Sequence, residues 1–199
     1  MKKEFWFYPD IICLSLLFIG SFFFFLTFAT SWTQWLSILI GMVTYTLGEY
    51  LTHRFVFHMK PPKHPFFLKL MKRVHYDHHV KPKDLHLLFL PLWYSVPNIV
   101  VVAILVFFIT GNLAVTSGFI SGVVIFIIYY EYTHYVAHRP INPKTPWGKW
   151  MKKVHLWHHY KNEQYWYGVT SPIYDYALGT FKDQKDVEKS ATARDLEKE

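Results

Sequence analysis

The sequence predicts an all-α integral membrane protein, with four transmembrane helices in two hairpins and a helical cap on the cytosolic side. Three observations predict it: four apolar runs without charge, the confinement of every basic residue to three segments, and an internal repeat that carries most of the histidines.

The apolar runs are Ile11 to Ala29, Trp35 to Gly48, about Leu92 to Thr110, and Leu113 to Tyr130. A spanning helix needs about 20 mostly apolar residues, within a range of roughly 17–25. The first and fourth runs meet this length. The second and third reach it only with their flanks, Ser31–Gln34 and the stretch around Pro97. The first run is too long for the apolar region of a signal peptide, and no small-residue cleavage site follows it.

All 21 Lys and Arg lie in Lys2–Lys3, Arg54–Lys83 and Arg139–Lys198, whereas the connections Thr30–Gln34 and Gly111–Asn112 carry no charge. Buried helices of a soluble core would not sort charge in this way. Four spans with both termini and the two basic segments on one side do, and by the positive-inside rule that side is the cytosol. The net charge of +7 therefore reads as topology and lipid-headgroup contact. No basic stripe stands apart from the membrane flanks, so nucleic acid is not an expected partner. Cys13, the sole cysteine, sits in the first run, which excludes an intrachain disulfide and thiolate metal ligation.

The chain reads as two copies of one unit, about residues 11–90 and 91–181, within a single membrane domain covering 1–199. Met71-Lys-Arg-Val-His-Tyr-Asp-His-His79 parallels Met151-Lys-Lys-Val-His-Leu-Trp-His-His159, and Glu49-Tyr-Leu-Thr-His53 parallels Glu131-Tyr-Thr-His134 with one residue fewer. A Pro-rich basic link joins the two boxes of each half, and its prolines turn the chain along the membrane surface. Residues 182–199 are mostly charged, without apolar periodicity. They read as a soluble, partly disordered tail.

Ten of the twelve histidines fall into four boxes: His53 and His58; His75, His78 and His79; His134 and His138; His155, His158 and His159. Positions i, i+3 and i+4 share one face of an α-helix, so each three-histidine box is expected to converge on one point. His53 and His58 would diverge by about 140° on a regular helix, which requires the helix to end, tighten or bend between them. Clustered imidazoles repel when charged and gain little when neutral, but they suit Zn, Fe, Cu and Ni. Ten exceed the needs of one tetrahedral zinc and match two metals with about five ligands each, leaving an open position on each. Zinc has no redox chemistry, so an oxidative role requires iron or another redox metal. His64 and His86 lie outside the boxes and are expected at the surface. Glu49 and Glu131 precede the first histidine of their boxes by four and three residues. Each is either an interfacial charge or a carboxylate that accepts an imidazole N–H and fixes its tautomer.

At these boxes the sequence resembles the fatty acid hydroxylase superfamily, which includes sterol desaturases. The spacings HxxxxH, HxxHH, HxxxH and HxxHH match that family's ligand pattern. Tyr50 to Pro62 and Tyr132-Thr-His-Tyr135 are similar to the fatty acid 2-hydroxylase branch, and Gly168-Val-Thr-Ser-Pro-x-x-Asp175 to a superfamily C-terminal signature. The resemblance implies a dimetal site in the cytosolic cap and insertion of a hydroxyl at C2 of a fatty acid or N-acyl (ceramide-like) lipid. Two iron ions, O2 and two electrons would be needed, with zinc able to replace the iron during purification. Relatives carry an N-terminal haem domain, whereas here the first span starts near residue 11; a separate electron-transfer protein of haem or iron–sulfur type is therefore an expected partner, beside the lipid substrate and the bilayer. Glu131 stands where relatives usually have Asp. Trp157, Tyr160, Trp166 and Tyr167 are each either a wall of an aromatic acyl pocket or a packing residue of the core. The expected location is a multi-pass membrane protein with its site facing the cytosol, in the plasma membrane of a bacterium or the endoplasmic reticulum of a eukaryote. Two other readings share some of these features: sterol or carotenoid hydroxylation or desaturation on the same scaffold, and metal transport. A transporter would place its ligands at mid-membrane, away from the basic segments that hold the boxes.

Overall fold

The structure is a computed structural model that describes residues 2–198; within them every regular element is helical and there is no strand. The four predicted runs appear as helices Pro9–Phe28, Leu36–Thr52, Leu92–Thr110 and Leu113–His138. Three helical stretches, Pro9–Phe28, Leu85–Thr110 and Leu113–His138, are long and apolar enough to cross a membrane. Leu36–Thr52 has 17 residues, at the lower limit for a span.

The helix boundaries follow local chemistry. Pro9 opens the first long helix, where its missing N–H costs nothing. Ser31 and Gln34 form a reciprocal capping box that starts the next turn. Gly111 closes Leu92–Thr110 at a φ of 58°, a left-handed conformation that glycine adopts without a Cβ penalty. The Asn112 side chain then accepts from the Val115 N–H, so two uncharged residues end one helix and start the next.

The chain divides into two compact units, one of Met1–Thr46 with Leu90–Tyr130 and one of Leu47–Phe89 with Glu131–Glu199. The first holds most of the apolar helices. A Cβ on Gly41 would run into the Phe119 carbonyl, and one on Gly122 into the Ile38 carbonyl. Helices Leu36–Thr52 and Leu113–His138 therefore meet backbone to backbone through small residues, a contact suited to lipid, where apolar burial gives no net drive to association. Ser121 also donates a hydrogen bond to the Ser21 hydroxyl at 3.0 Å. Phe23, Val101, Phe108 and Ile109 are exposed, as expected of side chains facing acyl chains.

The second unit contains all four histidine boxes. Between His53 and His58 the helix widens into a π-helical turn, His53–Phe57, closed by the His58 N–H to the His53 carbonyl at 3.2 Å. The sequence required an irregularity here; the form is a widening, neither an end nor a tightening. The physical reason is one extra residue. His134 and His138 stand four apart on an unbroken helix, whereas His53 and His58 stand five apart, and a π turn absorbs the insertion while keeping both rings on one side. A second π turn, Lys72–Tyr76, carries His75.

The tail differs from expectation. Val187, Ala193 and Leu196 are buried, and the Ser190 N–H bonds the Lys161 carbonyl at 2.8 Å. Its few apolar residues are spaced too irregularly to show as periodicity, yet they pack.

Candidate metal centre

The structure sorts the ten box histidines into two groups of five. His53, His58, His75, His79 and His158 form the first; His78, His134, His138, His155 and His159 form the second. Within each group the ligand atoms lie within 4.8 Å of one another. All ten are buried except His58, which is half-buried. His64 and His86 are exposed and lie outside both groups.

This corrects the expectation that each three-histidine box converges on one point. His75 and His79 enter the first group while His78 enters the second; His155 and His159 enter the second while His158 enters the first. The reason is angular. Successive residues turn by about 100° on an α-helix, so i and i+4 nearly eclipse while i+3 points to the other side of i. Each box thus gives two rings to one group and its middle ring to the other.

Within the first group the tautomers of three rings follow from their partners. Nδ1 of His53 faces the Tyr167 carbonyl at 2.5 Å, Nδ1 of His79 the Ala193 carbonyl at 2.8 Å, and Nδ1 of His158 the Tyr165 carbonyl at 2.8 Å. A carbonyl only accepts, so each Nδ1 carries the hydrogen and each Nε2 presents a lone pair. Burial, reinforced by neighbouring imidazoles, holds His53, His58 and His75 well below the ordinary imidazole value; burial pushes His79 down to about 3 despite its carbonyl bond. Neutral rings with inward lone pairs are what a cation requires.

The spacing fits a cation as well. Nε2 atoms stand 2.9 Å apart for His58 and His75, and 3.0 Å apart for His75 with His79 and His58 with His158. In the second group His78 with His134, and His138 with His155, stand 2.9 Å apart. Two imidazole nitrogens about 2.1 Å from one metal would lie about 3.0 Å apart at right angles and about 4.2 Å apart when opposed. Nε2 of His53 and both ring nitrogens of His159 are buried without a hydrogen-bond partner among the described residues. Lone pairs crowded at these distances, with buried nitrogens left over, are costly without a positive charge between them. All members of both groups are imidazoles, so the donor set suits iron and zinc alike.

Glu49 is buried, but its partners are not imidazoles. Its carboxylate accepts from the Val169 N–H at 2.6 Å, the Thr170 N–H at 3.0 Å and the Thr170 hydroxyl at 2.5 Å. It therefore acts on the loop whose Tyr167 carbonyl holds His53. Asp175 secures the same loop, accepting from the Tyr167 and Gly168 N–H groups at 2.8 Å each and from the Thr180 hydroxyl at 2.7 Å. Burial raises the Asp175 carboxyl while these donors counter the rise. A Cβ on Gly168 would strike the Ser171 carbonyl, which explains why the Gly168–Asp175 signature begins with glycine. Glu131 is also buried, 1% exposed.

Of the candidate pocket aromatics, Tyr167 lies beside the first group, its ring centroid 5.3–5.6 Å from those of His53, His58 and His158. Tyr160 stands 6.4 Å from His159. Trp166 is instead a core residue, fully buried with Val154 and Val187 and partnered by Trp157. Its φ of 60° is unusual for a bulky side chain and persists only where surroundings impose it. The Trp166 indole N–H bonds the Lys182 carbonyl at 3.0 Å, and the twist separates Tyr165 from Tyr167, whose carbonyls serve the same group. Tyr165 and Ala193 gave no signal in the sequence because they act through backbone carbonyls.

Comparison with known proteins places the chain in a family. The family model described as Fatty acid hydroxylase matches residues 38–180. A ceramide very long chain fatty acid hydroxylase, scs7, of Schizosaccharomyces pombe is 34% identical over 153 residues, covering 71% of this chain and 41% of the relative. A rat fatty acid 2-hydroxylase is 35% identical over 144 residues, 71% of this chain and 38% of the relative. An Arabidopsis dihydroceramide fatty acyl 2-hydroxylase, FAH2, is 31% identical over 157 residues, 78% and 65% of the two chains. The chain thus spans about two fifths of the length of the first two. Among solved structures, full-length scs7p with only its hydroxylase domain visible superposes with a TM-score of 0.82 at 27% identity, covering 94% of this chain and 69% of that one. With the family model spanning most of its length and the histidine pattern in place, this chain belongs to the fatty acid hydroxylase family.

Proposed function

We propose that the protein hydroxylates a lipid acyl chain with O2, at C2 of a fatty acid or of an N-acyl, ceramide-like lipid, using two iron ions held by the two histidine groups. The observation that carries the reading is the five-and-five division of inward-facing imidazoles, joined to relatives named as fatty acid and ceramide hydroxylases. The reaction balances as one C–H bond, one O2, two electrons and two protons giving one C–OH and one water. An external electron donor supplies the electrons, and a separate haem or iron–sulfur protein fits that role.

His53, His58, His75, His79 and His158 would hold one iron, and His78, His134, His138, His155 and His159 the other. Iron held there would supply the redox chemistry for O2 activation and C–H cleavage, which zinc cannot supply. The chain's own residues provide position and exclusion. Carbonyls of Tyr165, Tyr167 and Ala193 fix three ligand rings, and Glu49 and Asp175 hold the loop that carries two of those carbonyls. Burial of nearly every ligand keeps bulk water from the reacting centre. The Tyr167 ring is our candidate for the surface that meets the acyl chain, with Tyr160 and Trp157 as further candidates.

The division of ligands also supports an internal duplication, since each half gives four rings to one group and one to the other. We read all four long helices as spans, with the basic segments and both histidine groups on the cytosolic side. All ten box histidines belong to the unit containing the basic segments Arg54–Lys83 and Arg139–Lys198, which speaks against a mid-membrane transport path. Lipid mass spectrometry after expression in a host lacking hydroxylated lipids tests the reading. New 2-hydroxy acyl species that vanish in a His78→Ala variant support it; an unchanged lipid profile from well-expressed protein counts against it.

A further inference from the structure

The segment after residue 180 lies beyond the family match, and the mechanism above draws on it for one carbonyl alone. Residues 182–198 contain little regular structure apart from the last turn, Leu196–Lys198, yet many groups hold them. Glu163 is fully buried and its Oε1 accepts from the Ser190 hydroxyl at 2.9 Å and the Thr192 hydroxyl at 2.6 Å. Lys161 reaches the Gln184 carbonyl, and the Asn162 amide donates to the Glu188 carbonyl at 3.2 Å. At the far end Lys72 pairs with Glu197 at 2.6 Å, and the Arg194 guanidinium lies 5.3 Å from the Tyr160 ring. Between these ties the chain presents the Ala193 carbonyl to His79.

The repeat makes this contact informative. His79 corresponds to His159 at an offset of 80 residues (159 − 79). His159 has no hydrogen-bond partner on either ring nitrogen among the described residues. One ring of an equivalent pair is therefore set by the tail and the other is not. A buried carboxylate is costly unless it is hydrogen-bonded, and with Glu163 Oε2 unpartnered among the described residues the two hydroxyls on Oε1 are its compensation and tie the chain's path past Ala193. Outer partners of this kind orient a ligand ring, fix its tautomer and change metal affinity by roughly 10–100-fold.

We propose that the C-terminal strap, residues 182–198, is a positioning element for one metal site: Glu163 anchors Ser190 and Thr192, and the Ala193 carbonyl so placed fixes His79 with its Nε2 toward His53, His58, His75 and His158. The proposal rests on the two-metal reading of the histidine groups. It makes the two sites unequal, with the strap stabilising the first and leaving the second unaffected.

The test uses zinc-loaded full-length protein in detergent, with metal content and the time course of zinc release to a chelator as readouts. Full-length protein should hold two zinc ions. In Glu163→Ala, and in a chain ending at Ser190, one of the two should leave at least about 10-fold faster while the other keeps its original rate. Glu163→Gln retains an acceptor oxygen for both hydroxyls and should restore most of the slow release. Should the shortened chain not fold, a Ser190→Ala, Thr192→Val protein removes the same anchors with the chain intact and is expected to show the same split. Both ions leaving at the original rates, or both accelerating equally, would overturn the proposal. Full-length protein that binds no zinc would instead overturn the two-metal reading itself.

Discussion

Removing the Glu49 carboxylate probes how the loop bonded to it holds the His53 ring. Glu49→Ala strips the acceptor from two buried backbone N–H groups, of Val169 and Thr170, and from the Thr170 hydroxyl. The hydroxyl can turn to another partner, but the N–H groups cannot. Each unsatisfied buried donor costs about 1–3 kcal/mol, so the loss is about 2–6 kcal/mol. For a chain of this size 1 kcal/mol moves the unfolding temperature by roughly 2–4 °C, which makes a decrease of at least roughly 4 °C the expected result in detergent. The loop displaced by the loss carries the Tyr167 carbonyl that orients His53, so chelator-driven metal release should quicken by about 10-fold or more. Glu49→Gln keeps one acceptor oxygen and should lie between the two. An unfolding temperature within about 1 °C of the parent and unchanged metal release in Glu49→Ala would refute the reasoning.

Gly168→Ala should mimic this loss, because its Cβ meets the Ser171 carbonyl and overpacking costs about 1–3 kcal/mol; a parent-like unfolding temperature would show that the loop yields freely. His158→Ala and His78→Ala should each lower bound metal in the group fed by the opposite half, measured as stoichiometry below two, and should abolish product; full activity in either contradicts the dimetal assignment. Cysteine placed at Asn112 in a Cys13→Ser background should react with an impermeant reagent from outside intact cells, whereas one at Lys185 should not. The reverse pattern would invert the topology.

Much of the architecture was legible because membrane constraints are coarse. Charge sorting and apolar length located the starts of the four long helices to within two residues, but the fourth runs eight residues (138 − 130) past its apolar stretch, to His138, and Gly111–Asn112 marked the break before it. The histidine boxes pointed to a metal centre, and the structure gathers their ten imidazoles into two groups of five that are compatible with one. Their partition was less legible. On sequence alone His75, His78 and His79 share a face, and only the packing of one box against another shows that the 100° between i+3 and i+4 is used to reach two points. The irregularity between His53 and His58 was forced by angle, but its π form depends on an insertion absorbed within the helix. Ala193 and Tyr165 contribute a carbonyl that every residue possesses, so side-chain identity carries no trace of them. Trp166 stayed open between pocket wall and core packing because aromatic character does not distinguish the two; the structure places it in a buried cluster.

In the proposed reaction, redox-active iron held by the two histidine groups would place an oxygen atom from O2 on an acyl carbon. Iron-loaded protein, given a reductant, an electron-transfer protein, a long-chain acyl lipid and isotopically labelled O2, should yield a 2-hydroxylated chain with one labelled oxygen, while zinc-loaded protein of equal metal content should yield none. Product carrying oxygen from labelled water, or equal turnover by the zinc form, would contradict the account.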